Sequence, residues 1–344
     1  MQIDHDVKLD YSDVLLIPNR STLTSRSEVD LTINIFDQKI VPVIAANMDG
    51  VGTFEMAREM GKLGMMVALT KHYSLEDLVD FYTQNFEYSK YTMYSLGTSL
   101  KDREKFVEFN KQMEEVDKSG PSFVCVDVAN GYTRYFEDYL TEFAETFPQY
   151  VLVAGNVVTP EQTDRLIECG VNIVKIGLGP GSVCTTRKVA GVGCPQFSAV
   201  HDCAIAAHDA GGLIIADGGI TCPGDAAKAF GAGADMIMLG GYLAGHDEGG
   251  GVRGIGILNN TVEFYGMASK EAQDAHNGGI AAYRASEGKI VRVPYRGAVQ
   301  DTLSDLMGGI RSACTYIGAE SISEMHRKAR FVRVNRQLNN VFGS

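Results

Sequence analysis

Eight short apolar runs, each opening onto a turn and then onto a stretch with helical spacing, constrain this chain more than any other feature. They read VPVIAA (41–46), MMVALT (65–70), TMYSLG (92–97), FVCVDV (123–128), VLVAGNV (151–157), NIVKIG (172–177), LIIADG (213–218) and MIMLGG (236–241). The runs are nearly continuous in Val, Ile, Leu and Met instead of alternating with polar residues, which is the pattern of parallel strands covered on both faces. Between them lie amphipathic segments at 53–63, 75–85, 101–116, 133–146, 160–169, 198–210 and 223–231. Eight such units favour an α/β fold closed into a (β/α)8 barrel, the TIM-barrel arrangement, over an open sheet.

A length of 344 residues suits either two domains of about 150 residues or one barrel of about 250 with insertions. No Pro/Ser linker and no low-complexity segment divides the chain, so one domain over 1–344 with terminal arms is expected. The last unit is unusual. A Gly-rich excursion at 245–296 follows the eighth run and precedes a final helix expected at 299–316. Long insertions at that face of a barrel commonly act as lids, so the excursion reads as a flap.

The chain carries 31 Lys and Arg against 43 Asp and Glu, a net charge of −12, and has no basic run. Such a field repels a nucleic acid, while small anions can still be held by local positive groups. No stretch approaches the roughly 18 apolar residues of a membrane span, and the start MQIDHDVKLD is too polar and acidic for a signal peptide. A cytoplasmic protein with neither nucleic-acid nor membrane partners is expected. The seven cysteines are scattered, odd in number and free of any C-x-x-C pair, which disfavours a disulfide framework or structural zinc.

Barrels place their chemistry at the carboxyl ends of the strands. There this chain has Asn47-Met48-Asp49, Lys71, Asp127 with Asn130-Gly131, Gly155-Asn156, Gly179 to Arg187, Asp217-Gly218-Gly219 and Gly240-Gly241. Any one of these serves equally as turn chemistry; their convergence on one rim points to a site. Paired glycines after the seventh and eighth runs let backbone N–H groups approach a phosphate. Asp217 would accept hydrogen bonds from ribose hydroxyls, and together these features suggest a nucleotide. A G-x-G-x-x-G at Gly249, Gly251 and Gly254 lies in the excursion, without the flanking strand and helix of a dinucleotide fingerprint. The sharpest local feature is GLGPGSVCTTR (177–187), which presents Cys184 in a glycine-rich loop. That cysteine is either a thiolate activated by a nearby cation and backbone N–H groups or a small buried hydrophobe.

At this loop the sequence resembles a known family. GPGSVCTTR, with AANMD (45–49), DVANGY (127–132), AGNVVT (154–159), DGGI (217–220), MLGG (238–241) and YRASEGK (283–289), is similar to the GMP reductases across nearly the whole chain. The sister IMP dehydrogenases usually carry CBS modules within the barrel and an Arg-Tyr flap motif that activates water. This chain has no room for the modules, and its HNGGIAAYRASEGK (276–289) lacks the motif. The resemblance implies an oxidoreductase of purine nucleotide salvage that uses NADPH to convert GMP into IMP and ammonia. Cys184 would attack C2 of the guanine, with Thr186 and Glu287 as the proton relay.

The resemblance further places the GMP phosphate and ribose against Ser182, Asp217, Gly218, Gly219, Gly240 and Gly241. The base would meet Gly266, Met267, Ala268, Arg284 and Gly288. NADPH would meet Lys71, Asp127, Val128, Ala129, Met267 and Tyr283, while Ser25, Arg26, Ser312, Ala313, Cys314 and Thr315 would reach it from a neighbouring subunit, implying a homotetramer. Gly179, Gly181 and Cys184, with Thr186 and Arg187, resemble a monovalent-cation loop for K⁺. The sequence departs from the family pattern at Gly50, where Thr commonly follows ANMD, at Thr70, where His commonly precedes KHY, and at Ala268, where Ser commonly follows GM. At Ala268 only a backbone contact to the nucleotide survives.

Overall fold

The eight apolar runs form eight parallel strands: β1 (Val43–Ala45), β2 (Met66–Ala68), β3 (Thr92–Leu96), β4 (Phe123–Asp127), β5 (Val151–Val157), β6 (Ile173–Ile176), β7 (Leu213–Asp217) and β8 (Met236–Leu239). Each pairs with the strand before and after it, and β8 pairs with β1 at Ile237 and Val43, which closes the barrel. The structure is a computed structural model and describes residues 3–118, 120–254, 260–279 and 285–335. Nearly every strand residue is buried, because side chains fill the barrel on one face and meet helices on the other. Several strands are shorter than the apolar runs. Pro42 has no N–H to offer a ladder, so β1 starts after it. Gly218 has φ +89°, a left-handed conformation that ends β7.

The helices follow in alternation: α1 (Phe54–Lys62), α2 (Leu75–Gln84), α3 (Leu100–Glu115), α4 (Arg134–Thr146), α5 (Pro160–Glu168), α6 (Gln196–Asp209), α7 (Pro223–Gly231) and α8 (Val299–Ile317). Thr53, Ser74, Ser99 and Thr133 each accept a hydrogen bond from a first-turn N–H, which sets the starts of α1 to α4. Pro160 and Pro223 take the first helical positions of α5 and α7, where a missing N–H costs nothing. α6 begins two residues before the expected 198, because Pro195 serves as its N-cap.

Outside the barrel, Val14–Leu16 pairs antiparallel with Phe331–Arg333, so the two terminal arms meet. Leu16 and Phe331 lie against Gly231 at the carboxyl end of α7, which puts the arms on the face away from the strand carboxyl ends. Within the excursion, Thr261–Tyr265 pairs antiparallel with Ile290–Pro294, and the helix Lys270–Asn277 lies between them in sequence. Among the described residues no helix is long and apolar enough to cross a membrane.

An aromatic cluster locks α3 and α4 onto the barrel. The ring of Phe106, fully buried, lies 4.9 Å from Tyr94, 5.5 Å from Phe143, 5.1 Å from Phe147 and 5.4 Å from Tyr150 between centroids. Phe106→Ala removes one ring from several contacts at once and should cost about 3–5 kcal/mol of stability. A shift of the urea unfolding midpoint at unchanged slope measures it, and a loss below about 1 kcal/mol would mean that the cluster is not rigidly packed.

Candidate active site

A cavity of about 1110 Å³ opens at the carboxyl ends of the strands. The loop after β6 runs along one wall and presents Cys184, half-buried, with its Sγ 3.2 Å from Thr186 Oγ1. Cys184 is therefore not the fully buried small hydrophobe of the alternative reading. The loop is shaped by its own backbone, since the Cys184 N–H donates to the Gly181 carbonyl at 3.1 Å. It is also zipped to the distal end of the excursion. Thr185 N–H donates to the Glu287 carbonyl at 3.0 Å, Lys289 N–H donates to the Val183 carbonyl at 3.0 Å, and Cys184 and Gly288 form a bridge between these bonds. Glu287, some hundred positions away in sequence, thus joins Cys184 and Thr186 in lining one cavity.

The strand that leads into this loop carries a buried charge. Lys175 on β6 is 1% exposed and points its Nζ at Asp127 Oδ1, 2.7 Å away, and at Asp217 Oδ2, 3.3 Å away. Burial alone would drive its proton off, but the two carboxylates outweigh that cost and push its pKa above the usual lysine range. Asn47 Nδ2 donates to Asp127 at 3.1 Å, and Asn156 Nδ2 donates to Asp217 at 2.8 Å and to the Gly177 carbonyl at 2.8 Å. One ammonium thereby holds the ends of β4 and β7 in fixed positions. Sequence reading missed Lys175, because in NIVKIG a single lysine looks like a solvated interruption of an apolar run.

The glycines at the rim permit close approach between loops. A Cβ on Gly241 would sit 2.3 Å from Ser182 Oγ, and one on Gly218 would sit 3.1 Å from Pro180. Gly179, Gly181, Ser182, Gly218, Gly219, Gly240, Gly241, Gly266, Met267 and Ala268 all line the cavity, as do Lys71, Asp127, Val128 and Ala129. Lys71 is partly exposed, with Nζ 3.6 Å from Asp102 Oδ2. Arg296, which sequence reading also missed, lines the cavity and donates from Nη1 to the Tyr242 carbonyl at 3.0 Å, beside the Gly240-Gly241 turn. Its only sequence signal is a basic residue just ahead of α8.

Other expected positions lie elsewhere. Arg187 is turned from the cavity and held by Asp10, 3.1 Å away, and by the Cys194 carbonyl at 2.5 Å. Gly288 bridges the cysteine loop through its backbone. Ser25 caps a short turn (Arg26–Glu28) that packs on α8, the helix carrying Ser312, Ala313, Cys314 and Thr315, and none of these six lines the cavity. Cys314 is fully buried, which pushes its thiol up to about 12, so its side chain is closed to a ligand. Tyr283 and Arg284 lie outside the described residues. The discarded glycine motif packs onto neighbouring loops, with Gly250 N–H donating to the Gly50 carbonyl at 3.3 Å and Gly254 N–H to the Thr261 carbonyl at 2.8 Å.

A (β/α)8 barrel with a large glycine-lined cavity at the carboxyl ends of its strands, and a half-buried cysteine in its wall, has the architecture of an enzyme that acts on a small ligand. A family model described as the IMP dehydrogenase / GMP reductase domain matches residues 8–339, and the chain belongs to this family. It is 49% identical to GMP reductase 2 of Mus musculus over 99% of both chains. It is 50% identical to GMP reductase 2 of Homo sapiens, covering 99% of this chain and 98% of that one. The GMP reductase of the bacterium Shewanella halifaxensis is 49% identical over 100% of this chain and 99% of its own.

The buried ammonium has a measurable role. Lys175→Met leaves Asp127 and Asp217 facing each other without a counter-charge and should cost about 3 kcal/mol, the lower end for a broken buried pair because both carboxylates retain some solvent. Urea unfolding measures the loss, and a change under about 1 kcal/mol would mean that the carboxylates simply relax towards water.

Proposed function

We propose that this chain is a GMP reductase, converting GMP, NADPH and a proton into IMP, ammonia and NADP⁺. The observation that carries the reading is the junction of Cys184, Thr186 and the Glu287 loop in one cavity, made by backbone bonds across the excursion. The near-full-length likeness to named GMP reductases supports it.

The nucleotide would lie with its phosphate on the backbone of Gly218, Gly219, Gly240 and Gly241, beside Ser182 and the Arg296 guanidinium. Asp217, held by Lys175 and Asn156, would accept from the ribose hydroxyls. Gly266, Met267, Ala268, Arg284 and Gly288 would surround the base. That arrangement puts C2 of the purine within reach of Cys184, whose sulfur adds to C2 and makes a carbon–sulfur bond. The exocyclic nitrogen leaves as ammonia with a proton passed through Thr186 and Glu287, since an amide ion is too basic to depart unprotonated. When bound, NADPH supplies the hydride that takes the place of the lost nitrogen. Cleavage of the carbon–sulfur bond then returns the electron pair to sulfur and frees IMP.

The residues present fit the dinucleotide. Lys71 is a partly exposed cation whose ion pair among the described residues is a long contact to Asp102, so it can turn to a phosphate, and it lines the same cavity as Asp127, Val128 and Ala129. Met267 lines the same cavity, and Tyr283, outside the described residues, would join that set. Ser25, Arg26 and Ser312 to Thr315, distant from their own cavity but packed together, would serve the cavity of an adjacent copy in a homotetramer. The carbonyls of Gly179, Gly181 and Cys184, with Thr186 and Arg187, would hold K⁺. The loop already commits the Gly181 carbonyl to the Cys184 N–H and Arg187 to Asp10, so a bound ion would have to share these groups.

Incubation with GMP and NADPH should consume NADPH fluorescence and release ammonia in equal amounts. Turnover of IMP with NAD⁺ in place of this reaction would reject the reading. Cys184→Ala should retain GMP binding by calorimetry and lower kcat by roughly 10⁴-fold or more, whereas Glu287→Gln should lower it by about 10²–10⁴-fold. Full activity of the Cys184→Ala protein would exclude the covalent route.

A further inference from the structure

The chain ahead of the barrel is pinned beside the cysteine loop. Leu9 N–H donates to Ser198 Oγ at 2.9 Å and the Leu9 carbonyl accepts from Ser198 N–H at 3.0 Å, which docks the arm on the first turn of α6. Two positions on, Tyr11 is buried, and its carbonyl accepts from the buried Lys228 ammonium at 2.9 Å. Asp10 lies between these anchors. Its N–H donates to Asp13 Oδ2 at 2.8 Å, so its own backbone is fixed as well.

The Asp10 carboxylate makes two connections. Oδ1 accepts from the Gln196 N–H at 2.6 Å, at the start of α6. The Arg187 guanidinium faces both oxygens, with Nη1 3.1 Å from Oδ2 and Nη2 3.5 Å from Oδ1. Gln196 ties this point to the barrel rim: its side chain is fully buried and donates from Nε2 to the Ile176 carbonyl at 2.8 Å and the Asp217 carbonyl at 3.3 Å, at the ends of β6 and β7. The Arg187 stem lies against the loop on either side of Cys184 in sequence. A Cβ on Gly179 would come 2.7 Å from its Cγ, and one on Gly193 would come 2.8 Å from it.

Arg187 belongs to the single helical turn Thr186–Val189, in which the Thr185 carbonyl accepts from Val189 N–H at 2.8 Å and the Thr186 carbonyl from Ala190 N–H at 2.8 Å. Thr186 Oγ1 is in turn 3.2 Å from Cys184 Sγ. Among the described residues, Asp10 is the one side chain from outside the cysteine loop that bonds to this turn. An ion pair with 37% and 38% of its side chains exposed stabilises a fold little. Position is another matter, since a misplacement of about 1 Å in a reacting group can cost roughly 10²-fold in rate.

We propose that Asp10 is a positioning residue for the reaction: paired with Arg187, it makes the N-terminal arm a fixed post that sets where Thr186 and Cys184 stand in the cavity. The effect on turnover rests on the reductase reading; the effect on the loop does not.

The full chain and its variants are compared in the GMP and NADPH assay. Asp10→Ala should lower kcat by roughly 10–100-fold while KM for GMP stays within about threefold, and its urea midpoint should scarcely move. Arg187→Ala should lose as much. The double variant should lose no more than the worse single one, because the two side chains act as a unit. Asp10→Asn keeps an oxygen for the Gln196 N–H but no charge for Arg187; it should lose nearly as much as Asp10→Ala, and it carries the test if Asp10→Ala fails to fold. Lys8→Ala removes a different bond of the same arm, Lys8 Nζ to Asp202 Oδ2 at 3.2 Å, and should leave kcat unchanged. Hydrogen exchange read by mass spectrometry examines the loop without turnover: peptides covering 178–194 should exchange roughly 10-fold faster in Asp10→Ala, with strand peptides unaltered. Full kcat in Asp10→Ala, a loss confined to KM, additive losses in the double variant, an equal loss in Lys8→Ala, or unaltered loop exchange would overturn the proposal. If the unsubstituted chain fails to turn over GMP, the reductase reading falls, and the exchange measurement alone decides whether Asp10 holds the loop.

Discussion

Closure of β8 onto β1 is the constraint on which the rest of the molecule depends. Pairing of Ile237 with Val43 turns a linear series of strand–helix units into a ring. Loops that are far apart in sequence then share one rim. The Gly240-Gly241 turn after β8 comes to lie near Met48 after β1, with a Cβ on Gly240 placed 3.0 Å from the Met48 sulfur. An open sheet of the same strands would leave those loops at opposite edges and divide the cavity.

Within the ring, electrostatics sets the positions that packing alone would leave loose. The Lys175 ammonium is tolerated in the barrel because two carboxylates and a shell of amides surround it. In return it fixes Asp127, proposed above to meet NADPH, relative to Asp217, proposed above to meet the ribose, so the spacing of the two carboxylates is set by the fold.

The excursion is attached to the barrel rim at two places. Its antiparallel strands bring Glu287, Gly288 and Lys289 alongside the cysteine loop, and its helix brings His276 onto Asp49. One attachment is a backbone bridge and the other a side-chain bond, and together they tie the excursion to loops at the strand ends.

Much of this molecule was legible in its linear order. The strands and helices announced themselves because periodicity and capping are local, and the cysteine loop and paired glycines because turn chemistry is local. The caps that the structure shows at Thr53, Ser74, Ser99 and Thr133 act over the same short range, within about three residues. Local chemistry could not show that Lys175 is a buried structural charge, since the same letter on a surface strand would be solvated. Nor could it show that Arg187 faces Asp10 and not the cavity, that the terminal arms pair, or that His72, His276 and Asp49 share one corner. The sequence by itself determined which segments become strands, helices and turns, because those choices are made among residues a few positions apart. Only the tertiary structure decided which charges meet and which loops touch, because barrel closure and desolvation act between residues that the chain separates by tens to hundreds of positions.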